Sequence, residues 1–263
     1  MPSQSTSYLQ RDNYKLAYAH TPSLKDTHSC DRGQCNVMFC GGFKSSMQGL
    51  KALALETFCT THNIEFTRFD YSGHGESDGK FTDGNIKIWL EDALSIFDEV
   101  TSKPGTGTIV IGSSMGAWIA TLLAEQRKNK ITGLITIAAA PDFTEKLLLK
   151  TLNDEQRSQL ESGMTINLPS DYDDGSPYPI SPQLISKSRS QCVLHRPIDI
   201  TTPVRMLHGT ADKDVPYQLS IDLMNAIQSK DITLNLIKDA DHRLSDVSHL
   251  DTLNNTLLSL LET

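Results

Sequence analysis

Thr108–Ile109–Val110–Ile111–Gly112–Ser113–Ser114–Met115–Gly116–Ala117–Trp118 is an apolar, β-branched run that breaks into Gly-x-Ser-x-Gly and resumes with helix formers. Thr108 to Ile111 suits a strand buried on both faces, and Ala117 to Gln126 suits a helix. Gly112 and Gly116 omit the side chains that would collide where a strand turns sharply into a helix. Ser114 then occupies a strained corner with its oxygen exposed, which is what a nucleophile requires. The same pentad also arises as a plain packing turn, but the strand before it and the helix after it favour the nucleophile.

Working outward, strands and helices alternate on both sides of this corner. Ser7–Gln10 and Tyr14–Tyr18 read as a hairpin. A strand Asn36–Cys40, a helix Ser46–His62, a strand Ile64–Phe69 and a helix Asn85–Val100 precede the corner; a helix Ala117–Lys128 and a strand Ile131–Ala138 follow it. Such an order implies parallel strands joined by right-handed crossovers. The rhythm stops at Pro141. Asp142–Leu160 has a helical pattern, Thr165–Pro182 is broken by prolines and aspartates, and Gln183–Leu194 reads as a further helix. Alternation resumes with a strand Val204–His208, a helix Gln218–Gln228, a strand Ile232–Ile237 and a helix Val247–Leu261. The expected fold is α/β: one domain over residues 1–263, a mostly parallel eight-stranded sheet flanked by helices, and a lid or cap insertion at 142–200 after the sixth strand.

The 263 residues carry 24 basic and 32 acidic side chains, a formal charge of −8, which opposes attraction to nucleic acid or an anionic membrane. No run is long enough to span a bilayer. Met1–Tyr18 has neither an apolar signal core nor an arginine-rich, acid-poor make-up, so a cytoplasmic protein, monomeric or weakly self-associating, is expected. Five irregularly spaced cysteines argue against a disulfide framework. Cys30 and Cys35 with His28 and Asp31 lack a C-x-x-C pair, so free thiols are expected there rather than zinc. Neither a metal nor a cofactor is expected.

A serine nucleophile needs a base within reach and an acid to hold that base in the right tautomer. The strand ending at His208 runs into Gly209–Thr210–Ala211–Asp212–Lys213–Asp214, and the strand ending at Ile237 runs into Lys238–Asp239–Ala240–Asp241–His242. In an open parallel sheet these loops lie along one edge with the corner. His242 is therefore the expected base and Asp212 the expected acid, preferred to Asp214 because it comes sooner after the strand. Asp239 and Asp241 are expected to solvate their loop, and His208 to be a buried, satisfied histidine. The two oxyanion donors are expected to be the N–H groups of Met115 and of Phe43, the latter after Gly41–Gly42. The glycines of Asp70–Tyr71–Ser72–Gly73–His74–Gly75–Glu76–Ser77–Asp78–Gly79 do not form a phosphate loop.

With these residues in hand, the chain resembles the α/β-hydrolase superfamily from about Asn36 to its end. Gly41–Gly42–Phe43, the Asp70–Gly79 loop, Gly112–Gly116, His208–Asp212 and Asp241–His242 occur in that family's order. Within it, Arg68–Phe69–Asp70–Tyr71–Ser72–Gly73, Cys192–Val193–Leu194–His195–Arg196–Pro197 and Asp241–His242–Arg243 resemble the thioesterase and acyl-glucuronide esterase branch. Cys40–Gly41 departs from the histidine or proline that many relatives have before this glycine. The resemblance implies a serine hydrolase of small-molecule esters or thioesters, its insertion forming a lid.

The expected chemistry is acyl transfer to water through an acyl-enzyme on Ser114. Its rivals are a peptidase, a C–C bond hydrolase or a perhydrolase on the same scaffold, or a non-catalytic binding protein. Leu147, Leu148, Leu149 and Leu152 are expected to glue the insertion to the domain rather than line an acyl pocket. Lys187, Arg189 and Arg196 are expected to be a solvated face, with steering of an anionic leaving group the sharper alternative.

Overall fold

The fold comes from a computed structural model, which describes residues 5–23, 35–169 and 177–262. The first strands are β1 (Ser7–Gln10), β2 (Lys15–Thr21) and β3 (Cys35–Cys40), followed by α1 (Leu50–Thr61), β4 (Glu65–Phe69) and α2 (Ile86–Ile96). The central elements are β5 (Gly107–Ser113), α3 (Met115–Gln126) and β6 (Ile131–Ile137). An insertion then carries α4 (Leu149–Thr151), α5 (Asp154–Glu161), a hairpin of β7 (Ile166–Leu168) and β8 (Tyr178–Ile180), and α6 (Pro182–Ser188). The chain closes with β9 (Val204–Gly209), α7 (Gln218–Ala226), β10 (Ile232–Ile237) and α8 (Val247–Leu261). Among the described residues no helix is long and apolar enough to cross a membrane.

Eight strands form one sheet in the order β1-β2-β4-β3-β5-β6-β9-β10. The pairs from β4 to β10 are all parallel, and only β2 runs against its neighbours. The chain steps from β3 outward to β4 and then returns to place β5 on the other side of β3. That reversal opens a crevice beyond the carboxyl ends of β3 and β5, the place where open α/β sheets bind ligands.

Alternate residues of the central strands feed two cores, as period-2 geometry requires. Val37, Phe39, Ile109, Ile111 and Ile135 pack with α1 and α8. Met38, Cys40, Val110, Leu134 and Met206 pack with α2 and α3 on the other face. Apolar residues of the insertion, among them Leu152, Leu160, Ile180, Leu184 and Val193, belong to this second core. It follows that α3 is buried from Met115 to Ala124 on all sides, since the sheet lies beneath it and the insertion above. Trp118 Nε1 donates to Gln191 O at 2.9 Å, and Arg196 holds Glu125 through two contacts of 2.6 and 2.7 Å.

The expected helix over Asp142–Leu160 is interrupted. A π-type turn at Thr144–Leu148 runs into α4, and Leu152 then turns extended so that Asn153 can cap α5. Asn153 and Gln156 form a reciprocal capping box. Asn153–Asp154–Glu155–Gln156 carries that signature in the sequence, where it outweighs the continuous helical pattern.

Glycine is indispensable at one contact. A Cβ on Gly116 would lie 2.2 Å from Cys40 O and 2.3 Å from Gly41 O, both backbone atoms of the strand and loop beside it. Gly116→Ala is expected to cost about 3 kcal/mol or more by overpacking. Thermal unfolding is the check, with the melting temperature expected to fall by roughly 6–12 °C.

Candidate active site

Ser114 sits between β5 and α3 with φ 56° and ψ −119°, a left-handed conformation that costs a non-glycine residue about 1–3 kcal/mol. Three hydrogen bonds hold it there. Ser114 N–H donates to Ile137 O at 2.8 Å, and Ser114 O accepts from the N–H groups of Ala117 at 3.0 Å and Ala140 at 3.2 Å. A Cβ on Gly112 would meet Gly116 O at 2.3 Å, so the turn closes only because that side chain is missing.

The loops after β9 and β10 bring Asp212 and His242 to this corner. His242 Nε2 lies 3.0 Å from Ser114 Oγ, and His242 Nδ1 lies 2.7 Å from Asp212 Oδ2. Asp214, the competing acid, instead donates its backbone N–H to Asp212 Oδ1 at 3.0 Å, beside Val215 N–H at 2.8 Å. Asp212 Oδ2 accepts a second contact from His208 Nε2 at 3.0 Å. His208 is fully buried. Its Nε2 also faces Val215 O at 2.9 Å, so that nitrogen must carry the proton, and Nδ1 accepts from Ser220 Oγ at 2.7 Å. Burial alone would raise the Asp212 carboxyl; the hydrogen bonds from His208 and His242 outweigh it and hold the group well below the usual carboxylate range. Asp212, Asp214 and His242 do offer ligand atoms within 4.8 Å of one another. The four donors already on Asp212 leave it no oxygen lone pair to give a cation.

Gly42 follows β3 and lies against the serine: its Cβ would stand 3.6 Å from Ser114 Cβ. Phe43 and Met115 line the same cavity as Ser114 and His242, a space of about 590 Å³. Met115 is the first residue of α3, so its N–H has no intrahelical acceptor and points at the corner with the helix dipole behind it. The Phe43 ring is wedged edge-on against Phe81, Phe143 and Tyr178 at 4.9, 5.5 and 5.5 Å.

The cavity wall departs from expectation in its leucines and agrees with it in its charges. Leu147 and Leu148 line it, whereas Leu152 is buried in the core and Leu149 packs against that core. None of Lys187, Arg189 and Arg196 lines it; Arg189 is paired with Glu145 and Arg196 with Glu125, so they are surface and anchoring charges. The cations that reach the cavity are Lys51, Lys213 and Arg243. Lys51 Nζ donates to Arg243 O at 2.5 Å, and burial pulls its ammonium down to about 8.

The polar loop Asp70–Gly79 braces this region. Asp70 accepts from Met47 N–H at 2.6 Å and Glu76 N–H at 2.9 Å. Asp142, on which no role was placed, accepts from Val193 and Leu194 N–H at 2.8 and 3.0 Å, which ties the start of the insertion to its end. Of the thiols considered for zinc, Cys35 begins β3, while His28, Cys30 and Asp31 lie outside the described residues.

Residues 33–166 match the model of the serine aminopeptidase S33 family. The chain belongs to this α/β-hydrolase family. The α/β-hydrolase is 35% identical over 226 residues to the mitochondrial palmitoyl-protein thioesterase ABHD10 of Rattus norvegicus, a match covering 86% of this chain and 75% of the relative. It superposes on a putative hydrolase from Agrobacterium vitis with a TM-score of 0.89, at 32% identity and with 98% of each chain covered. Mouse alpha/beta hydrolase domain-containing protein 10 superposes with a TM-score of 0.85 at 34% identity, again with 98% of each chain covered. The rat relative is named as mitochondrial, which overturns the cytoplasmic expectation. The expectation rested on the make-up of Met1–Tyr18, while the bulk composition of a folded enzyme is the same in either compartment.

Proposed function

We propose that this α/β-hydrolase cleaves acyl thioesters and carboxylic esters through an acyl-enzyme on Ser114. The observation that carries the reading is the relay from Ser114 Oγ through His242 Nε2 and Nδ1 to Asp212, at 3.0 and 2.7 Å. His242 accepts the Ser114 proton as Oγ adds to the acyl carbon, and Asp212 keeps the Nδ1 proton in place and stabilises the imidazolium. The N–H groups of Phe43 and Met115 receive the oxyanion. Collapse expels the thiolate or alkoxide, which takes the proton from His242, and water repeats the sequence on the acyl-enzyme. Residues 142–200 act as the cap that shapes the acyl pocket, with Phe143, Leu147 and Leu148 on its wall. A thioesterase name on the rat relative and an apolar cavity wall both support an acyl chain as the bound group.

The test is a series of acyl thioesters and aryl esters of rising chain length. Each methylene that enters the cavity is worth about 0.8 kcal/mol. The specificity constant kcat/KM is therefore expected to rise by up to about fourfold per carbon until the cavity is filled, then level off. A flat, low rate across both series overturns the substrate class.

A further inference from the structure

We propose that Ser45 is a positioning residue that aims the Phe43 N–H at the oxyanion, and this rests on the Ser114 reading above. In a trans peptide the C=O and N–H point in opposite directions, so whatever grips the Gly42 carbonyl also aims the Phe43 N–H of the same unit. Ser45 grips it twice. Its backbone N–H donates to Gly42 O at 3.2 Å, and its hydroxyl donates to the same oxygen at 2.8 Å. Donation to the carbonyl also polarises the unit, which strengthens its N–H as a donor.

The surroundings leave this hydroxyl little else to do. Gly41 makes room for it, since a Cβ there would sit 3.0 Å from Ser45 Oγ. The next peptide is held independently. Lys44, left-handed at φ 56°, donates its N–H to His74 Nε2 at 3.2 Å. That makes His74 Nδ1 the protonated nitrogen, facing Ser72 O at 3.3 Å. His74 is buried among Tyr71, Phe81 and Trp89 with ring centroids at 5.1–5.5 Å, and that burial lowers its imidazolium to about 4, so it stays a neutral acceptor. Two consecutive peptide planes are thus fixed before substrate arrives, which is the condition under which an oxyanion donor is most effective.

A residue that merely stabilises the turn and one that aims a donor differ in what they change. The measurements are kcat and KM on an aryl butanoate, melting temperature, and affinity for an aryl trifluoromethyl ketone. Ser114 Oγ adds to that ketone's carbonyl carbon, the π pair becomes the oxyanion and the proton passes to His242, so its affinity reads oxyanion binding. Ser45→Ala is expected to lower kcat about tenfold, a fraction of the ~10²–10³ that loss of a whole donor costs. Its KM stays within about twofold, and its affinity for the ketone falls by the same factor as kcat. Ser45→Thr, which keeps the hydroxyl, is expected to retain the parental kcat. Should Ser45→Ala melt markedly lower, Ser45→Cys, which fills the space with a feeble donor, is measured in its place and is expected to show the same kcat-selective loss. Parental kcat and ketone affinity in the Ala or Cys variant overturn the proposal, as does a loss confined to KM. Ser114→Ala, run alongside, separates the two readings: if it still turns over, the nucleophile is wrong; if it is inactive while Ser45→Ala is unaltered, only the role of Ser45 falls.

Discussion

Ser114→Ala is expected to lower kcat by about 10⁶-fold, the scale seen when a serine nucleophile is removed from a complete triad. The residual rate would come from the donors and the cavity, which the substitution leaves intact. The backbone should tolerate the change, because alanine meets the same strain at φ 56° as serine and the three bonds to Ile137, Ala117 and Ala140 are all main-chain. The melting temperature is accordingly expected to move by less than about 3 °C. Ser113→Ala supplies the contrast: Ser113 is the last residue of β5, one position short of the corner, and its loss is expected to cost less than about tenfold. A fluorophosphonate probe should label the parent and the Ser113 variant and leave Ser114→Ala unlabelled. Labelling of Ser114→Ala would remove the serine from the chemistry.

Asp212→Asn is the second large effect, expected to lower kcat by about 10⁴-fold. The four donors around Asp212 make the loss unavoidable in either orientation of the amide. If its oxygen faces His242 and His208, its NH₂ is thrust at the Asp214 and Val215 N–H groups. If its NH₂ faces the imidazoles, His242 Nδ1 must become the acceptor, and Nε2 then presents a proton to Ser114 in place of a lone pair.

The same substitution changes how stability depends on pH. Asp212 is held below its unfolded value of about 3.9, so its contribution is fully present above that pH and is lost as pH falls towards the folded value. The parent is therefore expected to lose stability on acidification below about pH 4 more steeply than Asp212→Asn. Denaturant midpoints at a series of acidic pH values check the sign; a steeper limb in the variant would refute it.

What could be read from the chain follows from how rare each signal is. A buried β-branched run ending in Gly-x-Ser-x-Gly has few uses, and an aspartate or histidine just beyond a parallel strand has few structural reasons to be there. Hence Ser114 and Asp212, named with His242 from their strand ends, do lie within hydrogen-bond reach of the two ring nitrogens of His242. The sheet, too, follows from alternation, and α8 spans Val247–Leu261 as its periodicity implies. Ser45 and His74 carry no such signal. Each is a polar residue in a loop, and its partner is a main-chain atom supplied by folding, Gly42 O for one and Lys44 N–H for the other. The insertion is the least legible segment because its charges and leucines divide between wall, core and anchor according to packing. Arg196 reaches Glu125 71 residues away, a pairing that no local pattern encodes.

The insertion's apolar residues share one core with α3 and its Trp118. A segment built in this way does not behave as a detachable flap. Cutting it out would strip α3 of half its cover and expose Trp118, so a capless fragment should aggregate or be digested rather than persist. In limited proteolysis the insertion and the sheet ought to disappear together, as one cooperative unit. Any route into the cavity then has to open by side chains giving way at its mouth, with the insertion staying seated.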